Sequence, residues 1–441
     1  MKKPLVRAIA LILALLTILP FAAACDGKKT SDETSSSETT TEAVTTAANG
    51  DTPIPSAEEL AAALAENPYA TAGVELIKQI IKKCYKVKAH YLSNDVKNGN
   101  GMPAVWGLAS FMEACAEAYR LYPDDKEIAE AYKDVLTGCL NKYRVTRANI
   151  RTPKNGTFKN ITYYNAGAGG SGDYYYDDNA WLCIQLLIGY KQLGDESLLE
   201  AAEKNLEFLW TGWDDVLDGG IYWDKSYGGK NTCANGPVAI GYLLAYQITN
   251  KEEYLERGKM IYDWMRKKLL DGSLYIDSLN KNGKDKNTWK AVYNQATPIY
   301  AGALLYEITG EEIYYKQAKA TIAATDGLMF NITGTEKKGN LKVTMKGNPI
   351  YKAWCVGWMA RSYVKFFEVD NKKVTTHMTY LEKVLDAELT TKDKDGYYDP
   401  YFKTGDWGSE SKTDILQPCG VASTFLLAAY YDVALNIKTS E

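Results

Sequence analysis

Four segments of the chain can be laid over one another. "YRLYPDDKEIAEA" from Tyr119, "YKQLGDESLLEAA" from Tyr190, "YQITNKEEYLERG" from Tyr246 and "YEITGEEIYYKQA" from Tyr306 each begin with a tyrosine that ends an apolar run. Each then makes a short turn and enters a stretch with acidic residues at its start, where a helix dipole favours negative charge. The spacings are 71, 56 and 60 residues, a period that fits one helical hairpin and one long connection per unit. Such a chain buries its apolar faces by stacking unit on unit, which excludes most folds at once.

The two helices of each hairpin differ in kind. "AWLCIQLLIGY", "PVAIGYLLAYQ" and "PIYAGALLYEI" are apolar almost all round, whereas "EEYLERGKMIYDWMRKKLL" and "EEIYYKQAKATIAA" carry polar faces at helical period. The first kind is buried on every side and the second has one wet face. The order is therefore inner helix, short turn, outer helix, long loop. Inner helices are expected to start near Pro103, Tyr176, Gly236, Asn294, Lys352 and Leu416, and outer helices near Ala72, Asp125, Glu196, Glu252, Glu311 and Val374. Six of each close into a double ring, an all-α (α/α)6 barrel, with the first helix packed on the last. An open α-solenoid is the alternative.

The long loops repeat a phrase: "DGGIYWD" from Asp218, "DGSLYID" from Asp271 and "DGYYD" from Asp395, each an Asp-Gly turn followed by aromatic residues. In the barrel these loops gather at the end where every inner helix begins. "GDYYYDDNAW" from Gly172 lies there too, with Asp177 and Asp178 opening the second inner helix. Aspartate is a favoured helix cap, and "YPDDKEI" from Tyr122 puts the same pair on an outer helix, where only capping is expected. At a buried mouth among aromatic loops, the pair also suits glycosidic cleavage, which needs one carboxyl as acid and another as nucleophile or base. An ionised carboxylate at the helix N-terminus raises its neighbour's pKa, so adjacent residues can hold different protonation states. Tyr174, Tyr175, Trp223, Tyr397 and Trp407 are loop aromatics suited to stacking on sugar rings. Asn235, Asn294 and Gln295 begin inner helices at that end, as caps or as contacts to sugar hydroxyls.

The ends of the chain are unlike its middle. Residues 1–24 read as a secretory signal: Lys2, Lys3 and Arg7, an apolar run from Ala8 to Leu19 too short to span a bilayer, then three alanines before Cys25. The stretch resembles a bacterial lipoprotein signal. That resemblance implies lipidation of Cys25 and an extracellular, membrane-anchored location at the cell surface; plain secretion is the other reading, because Ala22 stands where that signal usually has leucine. Residues 25–56 are rich in Ser, Thr and Glu and read as a disordered tether, which leaves 57–441 as the folded domain.

The formal charge of −4 becomes −7 once the three basic residues of the signal are removed. No basic block remains in the folded part, which argues against nucleic acid as a partner. Beyond Cys25 there are seven cysteines and no C-x-x-C pair, so buried thiols are expected rather than a disulfide framework. His90 and His377 are the only histidines and lie near no cysteine cluster, so neither a zinc site nor any other cofactor is expected. "KDKDGYYDP" from Lys392 lacks calcium-loop spacing and reads as a turn.

"YYYDDNAW", "GGIYWD", "NGPVAIGYLLAYQITNKEEYLERGKMIYDWM" and "YNQATPIYAGALLYEITGEEIYYKQA", in that order, resemble glycoside hydrolase family 76 over roughly residues 100–440. The resemblance implies an (α/α)6 barrel and retaining endo-cleavage of α-1,6-mannan, with Asp177 as nucleophile and Asp178 as general acid/base. It also implies α-mannan or manno-oligosaccharide as the partner of a monomer, with Tyr176, Trp223, Asp224, Asn235, Tyr293, Asn294 and Gln295 as binding residues. The family often has glycine after its Tyr-Asn-Gln phrase, where this chain has Ala296. A mannan transglycosylase on the same barrel and a non-catalytic surface glycan-binding lipoprotein are the alternatives. Sugar epimerases of this architecture work through histidines at the barrel mouth, which this chain does not supply.

Overall fold

A computed structural model describes residues 57–97, 99, 101–346, 353–370, 375–403 and 413–435. The signal segment, Cys25, the tether and Trp407 lie outside them. The outer helices are α2 (Pro68–Cys84), α4 (Lys126–Asp134), α6 (Glu196–Trp210), α8 (Glu252–Lys268), α10 (Glu312–Met329) and α12 (Thr376–Glu388). The inner helices are α3 (Val105–Leu121), α5 (Tyr176–Leu193), α7 (Thr232–Thr249), α9 (Tyr293–Thr309), α11 (Ala353–Val369) and α13 (Leu416–Tyr430). A short α1 (Ala57–Glu66) precedes them. Each inner helix packs on the next, and α13 packs on α3, which closes the ring and excludes the open solenoid. The N-terminal outer helix α2 lies along α13, so the two ends of the chain complete one hairpin.

The repeated tyrosine phrase has a structural cause. Four residues after Tyr190, Tyr246 and Tyr306, the chain turns left-handed at Gly194, Asn250 and Gly310, with φ of 67°, 55° and 70°. Their N–H groups donate to the three tyrosine carbonyls at 2.8 Å, which ends the helix in the manner glycine and asparagine favour. The tyrosine hydroxyls then reach across the turn to Glu196, Glu252 and Glu312 at 3.2, 3.4 and 3.3 Å. The first hairpin differs: Tyr122 closes α3, and Asp125 caps α4 by accepting from the N–H groups of Glu127 and Ile128 at 3.1 Å each. In the outer Asp-Asp pair, Asp125 is thus the helix cap.

All seven cysteines from Cys84 to Cys419 are buried, and none forms a disulfide among the described residues. Leu416–Leu435 is long and apolar enough to cross a membrane, yet it is buried as the last inner helix and its extension. In "KDKDGYYDP", Asp393 accepts from the N–H groups of Asp395 and Tyr397, a plain turn. The long loops hold short antiparallel ladders that helical periodicity does not reveal. The longest is the hairpin Arg144–Thr152 with Gly156–Tyr164.

The packing of α13 on α11 depends on a close approach at Gly420, where a Cβ would lie 2.3 Å from the Trp354 backbone N. Gly420→Val should lower the melting temperature through overpacking of about 1–3 kcal/mol. Gly327, in α10 with nothing near its missing Cβ, is the control: Gly327→Ala should stabilise by about 0.5–1 kcal/mol. Thermal unfolding of both variants checks the pair.

Candidate active site

Three inner helices fasten the loop before them by the same device. Asn179 of α5 bonds both the N–H and the C=O of Tyr164, at 2.7 and 2.9 Å. Asn235 of α7 does the same to Ile221, at 2.7 and 2.8 Å, and Gln295 of α9 to Tyr275, at 2.7 and 2.9 Å. Each amide also donates to a carbonyl four residues back, in Tyr175, Asn231 and Ala291. All three side chains are fully buried. A buried primary amide offers a donor and an acceptor together, so it pairs with a peptide group as a strand would.

The middle clasp sets the loop that reaches Asp177. Gly219 and Gly220 take φ of 117° and 88°, conformations that glycine alone enters freely. Lys230 is fully buried, and its ammonium donates to Asp214 Oδ1, the Val216 carbonyl and the Gly219 carbonyl at 2.7, 2.8 and 2.7 Å. The loop therefore winds round one satisfied cation. Beyond it, the Trp223 carbonyl accepts from Tyr176 N–H at 2.8 Å, docking the loop on the start of α5. The Trp223 indole N–H then donates to Asp177 Oδ2 at 3.0 Å.

Asp177 and Asp178 occupy the first turn of α5, and both are buried. Asp177 Oδ1 accepts the Asp178 backbone N–H at 3.0 Å, and the Cys233 thiol is a further donor to this carboxyl. Burial raises the Asp177 pKa to about 7, while Trp223, Asp178 N–H and Cys233 hold it down. Asp178 is raised well above the ordinary carboxyl value, first by burial and then by the charge of Asp177, with the Trp106 indole opposing. The pair therefore resists carrying two charges at once, and the donors gathered on Asp177 favour placing the first charge there.

The aromatic wall around the pair is braced from the barrel axis. Trp106 packs on Trp354 and Tyr293 at ring-centre distances of 4.8 and 5.7 Å. The indoles of Trp354 and Trp358 donate to the two oxygens of Glu113, each at 2.9 Å. Burial raises the Glu113 pKa to about 7, opposed by Arg361 and the two indoles.

Among the sequence candidates, Asp177, Asp178, Trp223 and Tyr293 come together, Tyr293 lying close enough to Asp177 and Asp277 to feel their charge. Asn294 donates to Asp277 Oδ1 at 3.2 Å, and its own Oδ1 is buried without a partner among the described residues. Four other sugar-contact candidates have side-chain partners within the chain. Tyr176 is fully buried, stacked on Phe208 with its hydroxyl on Thr211. Asn235 and Gln295 are occupied by the clasps. Asp224 Oδ1 closes its own turn on Ser226. Of the loop aromatics, Tyr397 is buried against the Val96 carbonyl and Tyr174 packs among Tyr163, Tyr176 and Phe208, while Tyr175 lies against Trp223. Sequence reasoning missed Trp106, Cys233, Lys230 and Asp277. Only Asp277 had a signal, as the last residue of the repeated "DGSLYID".

A closed (α/α)6 double ring with a buried carboxyl pair and an exposed tryptophan at its mouth suits a glycoside hydrolase, which needs two carboxyls about one bond. The chain belongs to glycosyl hydrolase family 76, whose family model matches residues 70–418. A cellobiose 2-epimerase of Eubacterium cellulosolvens is 30% identical over 157 residues, 32% of this chain and 36% of that protein. A mannan endo-1,6-alpha-mannosidase of Candida glabrata is 26% identical over 125 residues, 26% of this chain and 28% of that protein. The chain thus spans about a third of the length of these curated relatives. The family 76 mannosidase of Bacteroides thetaiotaomicron VPI-5482 superposes with a TM-score of 0.70 at 20% identity, covering 82% of this chain and 99% of that one. An α-1,6-mannanase of Salegentibacter sp. HEL1_6, solved as an inactive variant with two consecutive aspartates replaced by asparagine and α-1,6-mannotriose bound, gives 0.65 at 22% identity, covering 82% and 99%.

Burying two carboxyls makes stability depend on pH. Below the ordinary carboxyl pKa of 3.8, folded and unfolded chains are both protonated and the pair costs nothing. As pH rises, the unfolded chain ionises while the folded pair holds its protons, so stability is lost up to and beyond the folded value of about 7 for Asp177. The double variant Asp177→Asn/Asp178→Asn should melt higher than wild type at pH 8, and the gap should close towards pH 4. Equal gaps at both pH values would remove the electrostatic account.

Proposed function

We propose that the chain is a secreted, surface-anchored endo-glycosidase that cleaves internal α-1,6-mannosidic bonds of mannan with retention of configuration. The observation that carries the reading is the buried pair of adjacent carboxyls at the start of α5, with the Trp223 indole and the Asp178 N–H both donating to Asp177. Asp177, ionised and held by the Trp223 indole and the Asp178 N–H, attacks the anomeric carbon. Asp178 gives its proton to the departing glycosidic oxygen as the C1–O bond breaks. In the second step Asp178 takes a proton from water, whose oxygen attacks C1 and frees Asp177. Family membership and the fold shared with an α-1,6-mannanase whose inactive variant lacks two consecutive aspartates support the assignment. The anchor rests on the lipoprotein-like residues 1–24 and Cys25.

Incubation with α-1,6-linked manno-oligosaccharides should give shorter products. Asp177→Asn and Asp178→Asn should each lower the rate by at least about 10²–10⁴-fold, the range for loss of a positioned acid or base. If wild type makes no product the mannanase reading fails. If either variant keeps full rate, the pair only ends a helix. Products longer than the substrate identify transglycosylation.

Trp223→Phe gives a second test. It removes a hydrogen bond that favours the Asp177 anion, so the Asp177 pKa rises. The acid limb of the pH–rate profile should move to higher pH, while an unmoved limb would mean that Asp177 is not the group whose ionisation starts the reaction.

A further inference from the structure

Two inner helices bring matched stripes together in the barrel axis. α3 carries Trp106, Glu113 and Glu117, and α11 carries Trp354, Trp358 and Arg361; residues three, four or seven apart on a helix share a face. The two stripes interlock. Trp106 rests on Trp354 with ring centres 4.8 Å apart. The Trp354 indole donates to Glu113 Oε2 and the Trp358 indole to Oε1, each at 2.9 Å. Arg361 lies 3.8 Å from Glu113 Oε2 and donates to Glu117 at 2.9 Å. Trp181 of α5 completes the cluster, its ring 5.0 Å from that of Trp354 and 4.7 Å from that of Trp358.

Glu113 is 1% exposed, and a carboxyl so deep costs stability that an apolar side chain would not. What it supplies is two acceptor oxygens, and each takes one indole N–H. A glutamine has a single acceptor oxygen, and its amide would turn an N–H towards an indole N–H. Glu113 therefore fixes how the Trp354 ring lies, and the Trp354 ring is the seat of Trp106. Tyr293 of α9 closes the same seat, 5.7 Å from Trp106 and 6.0 Å from Trp354 between ring centres. Trp106 stands two turns nearer the mouth than Glu113, and its indole is the side-chain donor to Asp178. A line of contacts thus runs from Glu113 through Trp354 and Trp106 to the carboxyl pair.

We propose that Glu113 is a positioning residue for the proton carrier Asp178: it orients Trp354, Trp354 seats Trp106, and Trp106 holds the Asp178 carboxyl in line with the glycosidic oxygen. The proposal rests on the reading of Asp178 as the acid. Asp178 gives its proton to the departing oxygen as the C1–O bond breaks. A carboxyl turned out of that line slows the departure of a sugar hydroxyl, which needs the proton, and spares a group that leaves as a stable anion. Glu113 itself bonds indoles and acts only through them.

The test gives the full chain two substrates: a linear α-1,6-linked manno-oligosaccharide, and an α-1,6-mannobioside with a dinitrophenyl leaving group, which departs without a proton. For both, kcat/KM reads the steps up to the first bond cleavage. Glu113→Gln should lower kcat/KM on the oligosaccharide by about 10–10²-fold and far less on the aryl substrate. Trp354→Phe keeps a ring against Trp106 and drops the N–H, so it should show the same split. The double variant should be no worse than either single one, because both break the same contact. A lower melting temperature alone affects both substrates alike. Equal losses on the two substrates, or full rates on both, overturn the positioning role while leaving the mannan reading intact. Asp178→Asn is the reference: if it shows no split, the acid reading fails and the positioning role falls with it. If wild type cleaves neither substrate, the mannan reading itself fails.

Discussion

The mouth of the barrel depends on a buried amide that pairs with a peptide group. Asn179, Asn235 and Gln295 each close two hydrogen bonds on one residue of the preceding loop. Removing such an amide strands a buried N–H and a buried C=O, and each orphan costs about 1–3 kcal/mol. The clasps make loop position a property of the inner ring. Asn179 follows Asp178 directly, so the residue that anchors the first loop also anchors the turn bearing the carboxyl pair. Asn235 fixes Ile221, two residues before Trp223, and Gln295 fixes Tyr275, two residues before Asp277. The side chains nearest the chemistry are therefore held by neutral groups that leave the local charge balance untouched.

That balance is costly, and the cost is concentrated. Asp177 and Asp178 are buried with no cation beside them among the described residues, and indole, thiol and backbone N–H groups are the donors that oppose their desolvation. A lysine or arginine in their place would ionise both aspartates and abolish the difference between them. The nearest loop's buried cation, Lys230, is instead paired with Asp214 at 2.7 Å, and Arg361 is paired with Glu117 at 2.9 Å in the barrel axis. Each of these charges steadies the scaffold, while the pair keeps its protons apart.

The twelve-helix ring was legible because its two helix types differ in what they bury. α13 shows no wet side and α8 shows one, so their order along the chain states which is inside. The short turns were legible too, since Gly194, Asn250 and Gly310 stand at one register of the repeat. The clasps of Asn235 and Gln295 were not legible, because an amide at a helix start looks the same whether it caps, clasps a loop or meets a ligand; only the partner opposite it in space decides. The hairpin Arg144–Tyr164 was missed although Asn155-Gly156 lies in its turn. Its strands are mostly polar and half exposed, and the 60-residue helical period drew attention elsewhere. Trp106 had no local signal, because its indole matters only through the closure that brings α3 beside α5.

Direction along the ring accounts for where the chemistry sits. Each inner helix follows a long loop, so all six present their N-termini to the same end, and each terminus carries roughly half a positive charge in uncompensated N–H groups. A mouth of this kind favours an anion without a basic side chain. The field acts most on the carboxyl within the first turn that also collects specific donors, and that is Asp177, with the Trp223 and Asp178 N–H groups on its two oxygens. Burial works in the opposite sense and brings its pKa back to about 7. Asp178 has the same burial, fewer donors and an anion next to it, so it remains the proton carrier. Two residues adjacent in sequence thus acquire opposite roles from the orientation of the ring and the placement of two indoles.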